Sequence, residues 1–254
     1  MIKRGGYRMF SRRIIMITAL VLALMTLSGC FVNLGQIGAT IGNGQMVGGS
    51  FSFDGAITKI DVSGVPAALI VTTEQSSEVN YVIDENLKDL LEITYQNGVL
   101  TIGTRNNTAI SSDRITFNIS SDMLESLVIN GAATITGNGV FDSETFSIEI
   151  NGAGEATFAL NSQNVSAVVN GASSITLSGT TEVLSINSAG ASFVNTRDLI
   201  AVEAVVSLSG AGSVQVYAEN TLDASIAGVG SVTYWGDPVL TQSAAGLASI
   251  RRGD

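Results

Sequence analysis

SIEINGAGEATF, residues 147–158, admits two readings that lead to different proteins. A Gly-x-Gly pair after a run of β-formers opens a phosphate cradle if a helix comes next. The same pair is a tight corner if a second strand comes next, because glycine reaches positive φ without steric cost. The next residues, EATFAL (155–160), alternate with the period of a strand. A cradle also occurs once, whereas this motif recurs along the chain.

The copies line up on the residue before the first glycine. VINGAATI places Asn130 there, INGAGEATF Asn151, VVNGASSITL Asn170 and SINSAGASFV Asn187. SLSGAGSVQV comes after with Ser209, SIAGVGSVTY with Ala227 and SAAGLASI with Ala245, and an early copy, DVSGVPAALIV, offers Ser63. From Asn130 onward the intervals are 21, 19, 17, 22, 18 and 18 residues, a mean near 19. Within a period the pattern is period 2, as in Ser213-Val214-Gln215-Val216, and polar turns such as LNSQN (160–164) and LSGTTE (177–182) separate the runs.

A period near 19 with two or three short strands lets each strand pair with its equivalent in the next copy, about 4.8 Å away. The expected fold is all-β: a parallel β-helix of about seven coils, right-handed as parallel crossovers are. An antiparallel sandwich is the rival, since turns every 8–12 residues fit it too. A sandwich gives no reason for one corner to repeat. The glycines of the motif are therefore read as stacked corners: Gly131, Gly152, Gly171, Gly210 and Gly228. Asn130, Asn151, Asn170 and Asn187 are expected to form an amide ladder. Alanines 132, 153, 172, 189 and 211 are expected to fill the interior beside the bend. Ile150, Val169, Leu208 and Ile226, with Ile135, Ile175, Val214 and Val232 beyond the bend, are expected to point inward. Scarce aromatics, 6% of the chain, fit a thin bore.

Residues 67–125 break the period. EVNYVI (78–83) and DRITFNIS (113–120) alternate as strands, DENLKDLLEI (84–93) has room for a helical turn, and YQNGVLTI (95–102) is a hairpin with Asn97-Gly98 suited to a type I′ turn. The segment is expected to be an irregular antiparallel strand and hairpin cap on the N-terminal end, since open solenoid ends template aggregation.

The N-terminus reads as an address. Lys3, Arg4, Arg8, Arg12 and Arg13 precede the uncharged run Ile14–Leu27, short for a membrane span and right for a signal sequence. It ends in Leu27-Ser28-Gly29-Cys30, which resembles the bacterial lipobox at all four positions. That resemblance implies a signal peptide over 1–29, cleavage before Cys30 and acylation of its thiol. SRRIIM (11–16) is a partial twin-arginine match, and Met9 is an alternative start to Met1. Residues 30–50 hold six glycines and no charge and read as the lipidated cysteine and a flexible tether, with room for a first short strand at its end. The domain proper is expected over 51–250, with 251–254 as a tail.

Charge and composition narrow the chemistry. There is no histidine, so a Ser-His-Asp triad and a His-ligated metal are excluded. Removal of the signal leaves 7 basic against 22 acidic residues, a net charge near -15. That field disfavours nucleic acid and anionic lipid surfaces. The membrane contact expected is the N-terminal lipid alone.

FDGAITKIDVSGVPAALIVTTEQ, IDENLKDLLEITYQNGVLTI, the NGA and SGAG repeats and the late VTYWGDP together resemble the head GIN domain family of autotransporter adhesins over about residues 51–250. The resemblance implies a β-helical fold, export and often a lipoprotein anchor. The lipobox, the repeats and the lack of catalytic residues point to a non-enzymatic envelope lipoprotein for adhesion or for binding a glycan or envelope protein, with no cofactor and no catalytic or metal residues. The lipobox implies a lipid-anchored place in the cell envelope, and Phe31 after the cysteine resembles outer-membrane sorting in a Gram-negative cell, the cell membrane being the place in a Gram-positive one. β-Helices also include polysaccharide-active enzymes, which need paired carboxylates. The acids here are dispersed among outward positions (Glu149, Glu155, Glu182, Asp198, Glu203, Glu219, Asp223), which suits a solvated face. A structural or signalling accessory of the envelope is the third reading. The closing Arg252-Gly253-Asp254 is expected by chance in so glycine-rich a chain.

Cys30→Ser is expected to abolish palmitate labelling and to release the protein from membranes, read by metabolic labelling and fractionation. Labelling that survives the substitution would remove the lipid anchor.

Overall fold

The computed structural model describes residues 38–254. Cys30, the signal segment and the start of the stretch read as a tether lie outside them. The strands in chain order are β1 (Thr40–Ile41), β2 (Met46–Ser52), β3 (Lys59–Ser63), β4 (Ala67–Thr72), β5 (Glu78–Asp84), β6 (Leu91–Gln96), β7 (Val99–Thr104), β8 (Ile110–Ser111), β9 (Ile115–Ser120), β10 (Ser126–Gly131), β11 (Ala133–Gly152), β12 (Glu155–Gly171), β13 (Ser174–Gly190), β14 (Phe193–Trp235) and β15 (Val239–Arg252). β1 lies inside 30–50 and β2 begins there, so the folded part starts within the stretch read as a tether.

From β10 onward every strand pairs in parallel with its equivalent one coil on, and the whole is a β-solenoid of about seven turns. The register runs Ser63, Asn130, Asn151, Asn170, Ala189, Ser209, with Ala227 pairing Ala245 beyond. Alternation decides what lies inside. In β12, Ala156, Phe158, Leu160, Ser162, Val165, Ala167 and Val169 are buried, and the one break falls at exposed Gln163-Asn164, a second corner. All eight apolar residues expected inside are buried, Ile226 at 3% exposure being the most accessible. The bore does take aromatics: Phe141, Phe146 and Phe158 pack together with ring centroids 5.3–6.5 Å apart. Gly137 makes room for them, because a Cβ there would strike the Phe158 and Phe141 rings.

Three expectations need correction. Asn187 is not a rung of the ladder. It pairs with Val168 and Ser207, two residues upstream of the corner, and Ala189 takes the rung. With Ala189 in place the uneven intervals of 17 and 22 become 19 and 20. The alanines lie on the other side of the bend: Ala132, Ala153, Ala172 and Ala211 are exposed, and the next residue, such as Ala133, Gly154 or Ser173, turns inward. Ala189, grouped with them, belongs to the asparagine row.

The third concerns residues 67–125, which are not wholly a cap. β4 and β9 pair in parallel, as do β3 and β7, so the rod's parallel coils run through this segment. One coil is interrupted: Ser63 and Asn130 are neighbouring rungs 67 residues apart. Antiparallel strands then close the end. β6 covers β7 through a turn at Asn97 (φ 50°) and Gly98 (φ 81°), and β5 covers β9 and takes β2 on its other side. Residues Glu85–Leu90 lie where a helical turn is expected and form a short 3-10 helix that buries Leu87.

One carboxylate ties this end together. Asp84, at the end of β5, is 1% exposed. It accepts the Ser112 hydroxyl at 2.5 Å and the Gly44 amide at 2.7 Å. Gly42 leaves the space, since a Cβ there would fall on the carboxylate. The Ser112 hydrogen bond above all, then the Gly44 amide and the Arg114 charge, hold the carboxyl below its ordinary pKa against the opposing effect of burial. Both partners sit in the segments just beyond β1 and β8, which pair in a small sheet of their own.

The corner and the carboxylate can each be tested. Gly171 has φ +132°, and a Cβ there would land on the Gly152 carbonyl oxygen. Gly171→Ala should therefore cost about 2–4 kcal/mol in chemical denaturation. Ala172→Ser, next to it but facing solvent, should stay within about 0.5 kcal/mol; equal costs would contradict the corner geometry. For Asp84 the folded pKa is lowered, so its contribution is present above the ordinary carboxylate range and is lost as pH falls through the folded value. Asp84→Asn should lower the melting temperature at neutral pH, and its gap from wild type should shrink on acidification. A gap independent of pH would mean that the charge does not act.

Candidate binding groove

The two corners of each coil differ in kind. At the glycine corner the backbone makes the close contact. Gly131, Gly152, Gly171, Gly190, Gly210, Gly228 and Gly246 all have positive φ and stack on one another. Gly190, absent from the set expected from sequence, occupies the same row. Alongside it, the Asn151 amide donates to Asn130 Oδ1 at 3.0 Å, and the Asn170 amide donates to Asn151 Oδ1 at 2.9 Å. Below them Asn130 donates to the Ser63 hydroxyl at 3.2 Å. This chain faces outward and is part-exposed, so each bond contributes about 0.5–1.5 kcal/mol at most. Its amides are used on one another. It is therefore a structural ladder.

The second corner carries its chemistry on side chains. Just inside it run Ser143, Ser162 and Thr181 in register, then Ala201. Ser143 and Ser162 share a 2.8 Å hydrogen bond, and Thr181 donates to the carbonyls of Gln163 and Val183 at 3.1 and 3.2 Å. One residue earlier and facing out is a second ladder. The Asn161 amide donates to Asp142 Oδ1 at 2.8 Å, and the Thr180 hydroxyl donates to Asn161 Oδ1 at 2.9 Å. Together these rows line an open groove of about 700 Å³ that runs from Asp142 to Glu219 and includes Glu144, Gln163 and Glu182. Its charges are four carboxylates, with no cation among the lining residues.

Sequence reasoning missed this groove, because LNSQN and LSGTTE read as connecting turns. The available signal was the recurrence of a hydroxyl, Ser162 and Thr181, at the same 19-residue spacing as Asn151 and Asn170.

The remaining candidates resolve as structure. Arg252 pairs with Asp237 at 3.3 Å, Gly253 N–H bonds to Tyr234 O at 2.8 Å, and the Trp235 indole bonds to Asp254 O at 3.3 Å. Arg252-Gly253-Asp254 is thus held as extended chain along the previous coil. Arg197 lies over the Trp235 ring at 4.5 Å. Among the described residues no group of three or more His, Cys, Asp or Glu is placed to hold a metal ion. No helix among them is long and apolar enough to cross a membrane.

Solved structures with this fold come from several bacteria. A "putative adhesin" from Bacteroides fragilis superposes with a TM-score of 0.77 at 19% identity, covering 84% of this chain and 100% of its own. A "putative lipid binding protein" from Parabacteroides distasonis gives 0.68 at 21% identity, with 85% and 100% covered. A "putative adhesin" from Parabacteroides merdae gives 0.61 at 17%, with 85% and 99% covered. At these identities the likeness is one of fold. Among curated proteins no relative matches. Residues 56–238 match the family model described as "Putative auto-transporter adhesin, head GIN domain", close to the span on which the sequence resemblance rests. The match takes in both corners, the groove and the interrupted coil, and the chain belongs to the head GIN domain family.

Proposed function

We propose that the chain is a non-catalytic adhesion module of the bacterial cell envelope, anchored through a lipid on Cys30, whose binding face is the groove over the second corner. The ligand class that fits is an extended, uncharged glycan strand laid along the rod. The observation that carries this reading is the repeat of the groove itself. Polar groups line three successive coils about 4.8 Å apart, close to the length of one sugar ring: Ser143, Ser162 and Thr181 in one row, and Asp142, Asn161 and Thr180 in the row outside it. A linear polymer of similar repeat can therefore meet a polar group on each of these coils, and weak contacts add along it. Carboxylates accept hydrogen bonds from sugar hydroxyls and repel anionic polymers. The family described as an adhesin supports the class, and its name suggests a cell-surface or envelope location. The lack of histidine supports binding without turnover.

Thr180 and Glu182 are both exposed on the groove face. The double variant Thr180→Arg, Glu182→Lys should cut capture on an array of neutral and acidic glycans at least about tenfold, which corresponds to roughly 1.4 kcal/mol. Ser185→Arg, exposed elsewhere on the coil, should not. Binding that is confined to acidic glycans, or that is indifferent to the groove variant, would overturn the groove. New reducing ends from a captured glycan would overturn the non-catalytic reading.

A further inference from the structure

The two ends of the rod are finished differently. At the N-terminal end the parallel edges are covered, β7 by antiparallel β6, and β9 by β5 and then β2. At the other end β15 pairs along its whole length with β14, and no described strand takes its second edge. The inward row opens there. Leu222, Ile226 and Val232 are at most 3% exposed, whereas their partners in β15, Leu240, Ala244 and Ile250, are half-buried or exposed.

Natural edges are protected by charge, proline or a bulge. Residues 239–250, VLTQSAAGLASI, contain neither a charge nor a proline. Val239 and Leu247 are 75% and 80% exposed. The charged groups of this end sit at its margin: Arg251, Arg252, Asp237 and Asp254. Both signs are therefore present, and the Arg252–Asp237 pair is itself largely solvent-exposed. The rest of the described chain is strongly acidic, with 5 other basic residues against 20 other acidic ones. Two copies approaching side to side repel each other. At this end the charges balance. A two-fold contact requires one patch to complement itself, and identical strands related by a two-fold axis run antiparallel with their backbone groups in register to bond.

We propose that the last coil is a pairing face for a second copy of this chain. The two rods meet end to end, with the Thr241–Ala245 segments of both copies forming an antiparallel ladder that covers Leu240, Ala244 and Ile250. This assembly doubles the number of grooves without altering either one, and it stands or falls independently of what the groove binds.

The test uses light scattering on the full chain, in a detergent that covers the apolar N-terminal segment. The wild type should be dimeric at micromolar concentration. Ser243 is exposed and faces outward on the last coil, so Ser243→Lys and Ser243→Glu should each leave the fold intact. Each alone should raise the dissociation constant roughly tenfold or more, because like charges meet across the two-fold axis. An equimolar mixture of the two should dimerise again. A monomeric wild type, a dimer unmoved by either variant, or a mixture that stays monomeric would each overturn the proposal. Circular dichroism melts matching the wild type show that lost pairing is not lost folding.

Discussion

The whole rod depends on backbone meeting backbone at the glycine corner. Each corner glycine from Gly152 to Gly246 sits so close to the carbonyl of the coil beneath that a Cβ would collide with it. A side chain there would force two coils apart and break the parallel hydrogen bonds on either side of the corner. Registration of the corner therefore registers the run of strand that leads into it. Once Gly152 lies on Gly131, Ile150 must lie on Ile129 and Ser147 on Ser126. The narrow core needs that order, since its residues make their contacts with the coils immediately above and below.

That constraint also distributes function. The glycine corner has no room for variety, and its flanking row is taken up by small exposed residues and by amides that bond to each other. The second corner has no such close approach over most of its length. Its sharp reversal is satisfied from inside, by Ser162 and Thr181 bonding within the bend, so the residues outside it are free to differ from coil to coil. Asp142, Asn161, Thr180 and Ile200 occupy successive rungs with four different side chains. One corner is locked by geometry and the other carries chemistry, and the groove lies over the second.

The fold is legible because its signal is local. Period-2 alternation and a recurring Asn-Gly can be counted along the chain, and they lead to the parallel stack and to all eight inward residues. The misplacements are either a matter of one or two residues or of long range. Asn187 stands out by its identity rather than its spacing, and in a stacked structure spacing is the stronger evidence, because Gly190 fixes the rung at Ala189. The alanines turn outward because the bend falls one residue later than the motif suggests. The interrupted coil is legible only in part: DVSGV aligns with VINGA as a copy of the same corner, but the count does not show that the residues between them carry further parallel strands of the rod. The groove escapes for a different reason. Its residues look like ordinary turn formers singly, and only the register places them in rows.

A binding face built this way differs from one built on loops. In a loop-built site each contact residue has its own backbone path and can move alone. Here Asp142, Asn161 and Thr180 are held by the same ladder that holds the core, and they bond to each other as well. Little ordering is left for a ligand to impose, so the entropic cost of binding falls mainly on the ligand. A stiff, extended polymer loses little on its side, whereas a flexible one loses much. The rigidity that the glycine corner enforces thus favours ligands that are already straight, and it favours affinity gained by length over affinity gained at any single point.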